Sequence, residues 1–258
     1  MWDRAFNANA LREYEPRLNR HALTLMSKLK ERATRSSVRI TDWVNFYSFD
    51  VMGDVGFNRS FDMMEKGKED PVIKLLHESH APISVFAHIS WAMRLIALTP
   101  VGSGPLFEHI AWSAKVLEER KKDTPKEKDV FSSLLDPNDD RITPEMNSDS
   151  RLLVIAGSLQ RDPRYFEEPL SFMPERWTGE RLGAIIDKRA YLPFSIGPYN
   201  CIGQKLAMME LRSVTANLVR SFEISFAEGE DGSTIENKTR DCFTIIVGKL
   251  DVKLTPRY

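Results

Sequence analysis

The sequence predicts a mainly α-helical protein with a small β element at its C-terminal end. Three observations carry that reading. Apolar residues recur at helical spacing through most of the first two-thirds of the chain. One helical face returns after residue 201. Strict alternation of apolar and polar residues appears only over 243–254.

The chain has 258 residues, 42% of them apolar and 28% charged, enough for one large domain or two small ones with a real core. A net charge of −1 argues against a nucleic-acid binder, which needs a basic surplus. The two cysteines, Cys201 and Cys242, exclude a disulfide framework and a four-thiolate metal site. A lone catalytic or ligating thiolate stays open. Met1 to Phe6 shows no targeting pattern, and the uncharged stretch from Ser79 to Met93 is too short to span a bilayer. The chain as written reads as soluble. Val85 to Leu98 carries enough large apolar groups to touch a membrane surface, but a buried core helix is the preferred reading.

Residues 4 to 34 present Leu11, Tyr14, Leu18, His21 or Ala22, Leu25 and Leu29 on one helical face. Thr41 or Asp42 is the expected N-cap of a second helix through Trp43, Phe46, Phe49, Val51 and Val55. Asp70-Pro71 opens a third, with proline at its first position. Residues 99–105 read as a breaker-rich loop, 106–122 as a further helix, 120–129 as a solvated charged linker and 136–149 as a polar loop. Residues 151–158 begin a strongly apolar helix that is cut short at Leu159-Gln160-Arg161-Asp162-Pro163. An ordered irregular segment follows over 161–181. Ala207, Leu211, Val214, Leu218 and Phe222 define the next helix face. The end alternates through Phe243, Ile245 and Val247, then Gly248-Lys249, then Leu250, Val252 and Leu254, which predicts a terminal hairpin.

The stretch from Pro193 to Ala207 carries the chemistry. A loop punctuated by Gly197 and Gly203 delivers Cys201 to the start of a long helix. There the unpaired N–H groups and the positive dipole end favour a thiolate. The glycines leave room for a flat cofactor against the backbone. A soft thiolate in an apolar pocket suits haem iron.

Phe194-x-x-Gly197-x-x-x-Cys201-x-Gly203 resembles the haem-binding loop of the cytochrome P450 monooxygenases. Phe172-Met-Pro174-Glu175-Arg176-Trp177 is similar to the family's Pro-Glu-Arg-aromatic segment, and 162–166 to the approach to it. Residues 152–158 resemble the first half of the central helix that crosses the haem, and residues 2–6 a helix end at the haem's edge. The flanks have a fungal flavour. The resemblance implies a partial P450-like helical fold over 1–258, in an N-terminal helical block (1–158) and a haem-loop block (159–258). It implies haem b with Cys201 as axial thiolate and catalytic residue. Phe194, Gly197, Tyr199 and Gly203 would line the cofactor pocket, Arg176 would join an ion-pair network, and Ala156 and Gly157 would border the oxygen side. It further implies insertion of one oxygen atom from dioxygen into a small apolar organic substrate, with electrons from an NADPH–cytochrome P450 reductase-type donor. The family's usual location is the endoplasmic reticulum membrane.

Four departures stand against that pattern. No arginine has a glutamate three residues before it, so the family's Glu-x-x-Arg pair is missing. Leu159 and Gln160 stand where an acid and an alcohol would relay protons. Tyr199 replaces the usual arginine or histidine that meets a propionate. The resemblance begins partway along a helix, without the anchor and first sheet. The sequence therefore reads as a family member truncated at its N-terminus, with an internal deletion near Ser158–Leu159. A catalytically incompetent fragment that binds haem weakly or not at all is the alternative. Elsewhere the plain readings win: Cys242 as packing, His77-Glu78-Ser79-His80 as a solvated helix face, and no Gly-x-Ser-x-Gly nucleophile.

Overall fold

The computed structural model describes residues 2–34, 37–86, 100–122, 127–134, 159–197, 200–242 and 244–257. They fall into two compact units, Met1–Asp139 with Leu206–Tyr258, and Asp140–Lys205.

The first unit opens with α1 (Trp2–Ala5) and α2 (Ala8–Arg32). The expected single helix is interrupted because Asn7 caps α2, its Oδ1 accepting from Asn9 and Ala10 N–H at 2.9 and 3.0 Å. The predicted stripe is the buried one: Leu11, Tyr14, Leu18, Ala22, Leu25 and Leu29. Arg17 is 3% exposed. It donates to the Lys128 carbonyl at 2.8 Å and pairs with Asp54, tying α2 to two distant segments.

Strand β1 (Val38–Arg39) runs straight into α3 (Ile40–Val51), which continues as a π-turn over Met52–Gly56. Neither Thr41 nor Asp42 caps α3. The Ile40 N–H instead donates to the Leu250 carbonyl at 3.0 Å, and Thr41 Oγ1 accepts from Leu250 N–H at 3.2 Å. The Leu250 backbone, just before the last strand, thus supplies what a side-chain cap would have supplied. Short α4 (Met63–Lys66) is fastened by buried Asp50, whose carboxylate accepts from the Met63 and Met64 N–H groups at 3.0 and 2.9 Å.

Helix α5 (Pro71–Phe86) starts at the predicted proline, with Asp70 Oδ1 accepting from Val72 N–H at 2.9 Å. Helix α6 (Pro100–Lys122) absorbs most of the predicted loop over 99–105. Pro100 takes the first helical position, where its missing N–H costs nothing, and α6 packs on α5. Helix α7 (Val130–Leu134) follows. The expected solvated linker is not one at its ends. Arg120 and Asp129 are both buried and form a two-pronged pair at 2.9 and 2.7 Å. The readings made for 87–99, 136–149 and 151–158 lie outside the described residues.

The second unit is built of turns, with α8 (Glu175–Thr178) and a 3-10 turn at Lys188–Ala190. The irregular reading of 161–181 holds apart from that short helix. Helix α9 (Gln204–Ser221) then leads into β2 (Phe222–Phe226). Of the predicted α9 face, Val214 is buried and Leu218 packs against the core, but Leu211 is 58% exposed; Leu206 and Met209 pack in its place. The C-terminal β element exists with a different pairing. Beyond α10 (Ser233–Lys238), β3 (Arg240–Cys242) pairs with β4 (Thr244–Ile246). Strand β5 (Asp251–Pro256) does not fold back on β4. It lies between β1 and β2, with Phe222 opposite Pro256, Ile224 opposite Leu254 and Val38 opposite Val252. Burying Phe222, Val252 and Leu254 against the helices drives that choice. Among the described residues, no helix is long and apolar enough to cross a membrane.

Candidate haem-thiolate loop

Cys201 is exposed and stands three residues before the first residue of α9. Its N–H donates to the Phe194 carbonyl at 2.8 Å, closing a loop that starts at Phe194. Inside the loop Asn200 N–H donates to the Gly197 carbonyl at 3.1 Å, and the Cys201 carbonyl accepts from Gln204 N–H at 3.3 Å. The chain reverses through left-handed backbone at Ser195 (φ 59°) and Gly197 (φ 83°). Among the described residues, a side chain on Gly197 would meet no heavy atom within 4 Å, so that face of the loop is open to them. Ile196 and Ile202 of the same loop are 69% and 42% exposed. A soft donor, an open glycine face and exposed apolar loop residues fit the thiolate side of a haem.

Phe194, Gly197, Cys201 and Gly203 thus share one loop, as the sequence predicts. Tyr199, Ala156 and Gly157 lie outside the described residues. Arg176 does find partners, although its expected glutamate is missing. Its Nη2 donates to the Glu167 carbonyl at 2.6 Å and to the Glu168 carbonyl, which the left-handed backbone at Glu168 (φ 43°) turns toward it. Its Nε is buried and has no hydrogen-bond partner among the described residues. Arg181, unnoticed in the sequence, pairs with the Glu167 and Glu168 carboxylates at 3.0 and 3.1 Å. His77 is half-buried rather than solvated, with Nδ1 2.8 Å from Glu69 Oε1.

Sequence reasoning also missed Glu210. Burial pushes its carboxyl up to about 7, against a smaller opposing pull from His21. Nearby Tyr47, buried with its hydroxyl unpartnered, is raised first by burial and then by the Glu210 charge. The signal was present: Leu206, Glu210 and Val214 are spaced i, i+4, i+8, so an acid stands on the inner face of α9.

A sequence model of the family described as Cytochrome P450 matches residues 3–131 and 145–254. The chain belongs to the cytochrome P450 family. Tryprostatin B 6-hydroxylase of Neosartorya fischeri is 26% identical, aligned over 100% of this chain and 65% of its own length. A cytochrome P450 monooxygenase of Aspergillus versicolor is 28% identical over 99% of this chain and 65% of its length. The chain therefore spans about two-thirds of the length of the curated relatives it matches. The Neosartorya alignment runs over 362 residues, more than the chain's 258, so the excess lies opposite gaps in this chain. A crystal structure of the cytochrome P450DA heme domain shares the fold, with a TM-score of 0.73 and 15% identity over 98% of this chain and 75% of that one.

Proposed function

We propose that Cys201 is the axial thiolate of haem b and that the chain is the larger part of a P450 monooxygenase domain, assembled from blocks 1–158 and 159–258. The carrying observation is the exposed Cys201 thiol on an open glycine loop at the start of α9. Phe194 fixes the Cys201 backbone through its carbonyl, and Gly197, Tyr199 and Gly203 would border the cofactor. Arg176 holds the 167–168 turn. When bound, haem supplies the activation of dioxygen that lets one oxygen atom enter a small apolar organic substrate, with electrons from an NADPH–cytochrome P450 reductase-type donor.

Reconstitution with haem tests the ligand. The reduced, carbon-monoxide difference spectrum is expected to show the red-shifted band of thiolate ligation, lost in Cys201→Ala; an unchanged spectrum in that variant refutes the assignment. A second reading, a catalytically incompetent fragment that binds haem weakly or not at all, is favoured by Arg176 Nε, which has no hydrogen-bond partner among the described residues, and by Leu159-Gln160 in place of an acid and an alcohol. A weak or absent thiolate band on reconstitution, with no reductase-dependent oxygenation of apolar substrates, selects it.

A further inference from the structure

The first unit contains a cavity of about 390 Å³ bounded by the π-turn that follows α3, the 57–61 loop, α5, α6 and α7. No residue of the Cys201 loop lines it. Its walls are Phe57, Phe61, Leu76, Trp112, Val116 and Phe131. The rings flank the space as tilted pairs: Phe57 lies 5.0 Å from Phe131, and Phe61 6.5 Å from Trp112, between centroids.

Polar fasteners hold these walls apart. Buried Asp50 pins the return of the chain at Met63 and Met64. Gly53 lets that return close in, since a Cβ there would meet the Arg59 carbonyl at 2.6 Å and the Phe61 ring at 2.8 Å. On the other side Arg120 grips Asp129, and Asp129 with Ser132 caps α7 through reciprocal bonds at 2.6 and 3.2 Å. Collapse into the space would break buried ionic hydrogen bonds.

The lining also defines the ligand's chemistry. Both arginines on the wall are already engaged, Arg120 with Asp129 and Arg59 with Glu119 at 3.5 Å and over the Trp112 ring at 5.6 Å. Neither is left over to recognise an ion. The other polar groups on the wall are Ser113 and His109, whose buried Nδ1 has no hydrogen-bond partner among the described residues. A volume in the range of small-molecule sites, with a largely apolar lining, takes up apolar molecules. We propose that this cavity is a binding site for a neutral, apolar, ring-bearing organic molecule, independent of haem.

N-phenyl-1-naphthylamine, whose fluorescence rises in apolar surroundings, is the probe. The full chain is expected to bind it at one equivalent, and Val116→Phe, which fills the cavity, to weaken binding by about tenfold or more. Phe172→Ser with Leu182→Ser, both remote from this cavity in sequence and highly exposed, is expected to leave binding unchanged. Should Val116→Phe fail to fold, methyl resonances answer in the unmodified chain: those of Val72, Val116 and Leu117 are expected to shift at saturation. Unchanged affinity in folded Val116→Phe overturns the proposal. So does a probe response that is lost in the Phe172 and Leu182 variant, or methyl shifts confined to Leu170 and Leu182.

Discussion

The two units are ordered by different means. The first buries a continuous apolar cluster that includes Tyr14, Leu18, Leu25 and Leu29 of α2, Trp43, Phe46 and Tyr47 of α3, and Phe222, Val252 and Leu254 of the sheet. In the second, the buried apolar residues among those described are Phe166, Ala184 and Ala190. Phe172 and Leu182 are 95% and 91% exposed there. What orders that unit is local: Asp162 and Asp187 each accept from the backbone N–H two residues on and from that residue's arginine, Arg164 and Arg189. Exposed pairs of this kind add little to global stability. The difference teaches that the segment bearing Cys201 is shaped by its own turns, whereas the helical bundle is shaped by burial.

The sharpest way to break the comparison is to cut the bundle's core. Leu29 has no exposure, and Leu29→Ala removes three carbons from a packed site. The expected cost is about 2–5 kcal/mol in urea unfolding, with the far-UV helix signal lost at lower denaturant. A small effect would mean that the α2 stripe does not form the main core.

A smaller effect, conditional on pH, is expected at Glu210. Its carboxyl rises from 4.5 to about 7 on folding, so the folded state favours the protonated form. An acid whose value rises on folding does not weaken the fold at acidic pH. Its penalty grows as pH climbs from about 4.5 toward 7 and is complete above that. Glu210→Gln is therefore expected to stabilise the protein by about 1–3 kcal/mol at mildly alkaline pH and to change nothing at acidic pH. The facing groups are Tyr47 and the His21–Asp54 pair, whose Nε2–Oδ2 distance is 2.8 Å. Equal effects at both pH values would refute the assignment.

Where burial decides structure, the sequence was readable. The α2 stripe, the proline start of α5 and the extent of α9 follow from periodicity and caps. The misses share a cause in long-range partners. The Leu250 backbone replaces a cap at Ile40, and β5 leaves β4 for β1 and β2 because Val252 and Leu254 find a core there. Arg120 and Asp129 look like solvated charges in sequence because their pairing spans a break between helices. The Cys201 loop was legible by its glycine spacing, which encodes local backbone, and the inward place of Glu210 by its spacing from Leu206 and Val214; Arg181 was not, since its partners Glu167 and Glu168 lie 14 and 13 residues away.

The smallest expected effect probes the second unit. Phe172 is 95% exposed, so truncating it removes almost no buried area. Phe172→Ser is expected to change unfolding free energy by less than about 0.5 kcal/mol. Fully burying a phenylalanine contributes about 1.5–3 kcal/mol, so the measurement separates two states of this surface. A loss in that upper range would show Phe172 covered by another part of the protein in solution, and the contrast between the units would then fall to that cover. With the small value, the turn hydrogen bonds at Asp162 and Asp187 stand as what orders the segment.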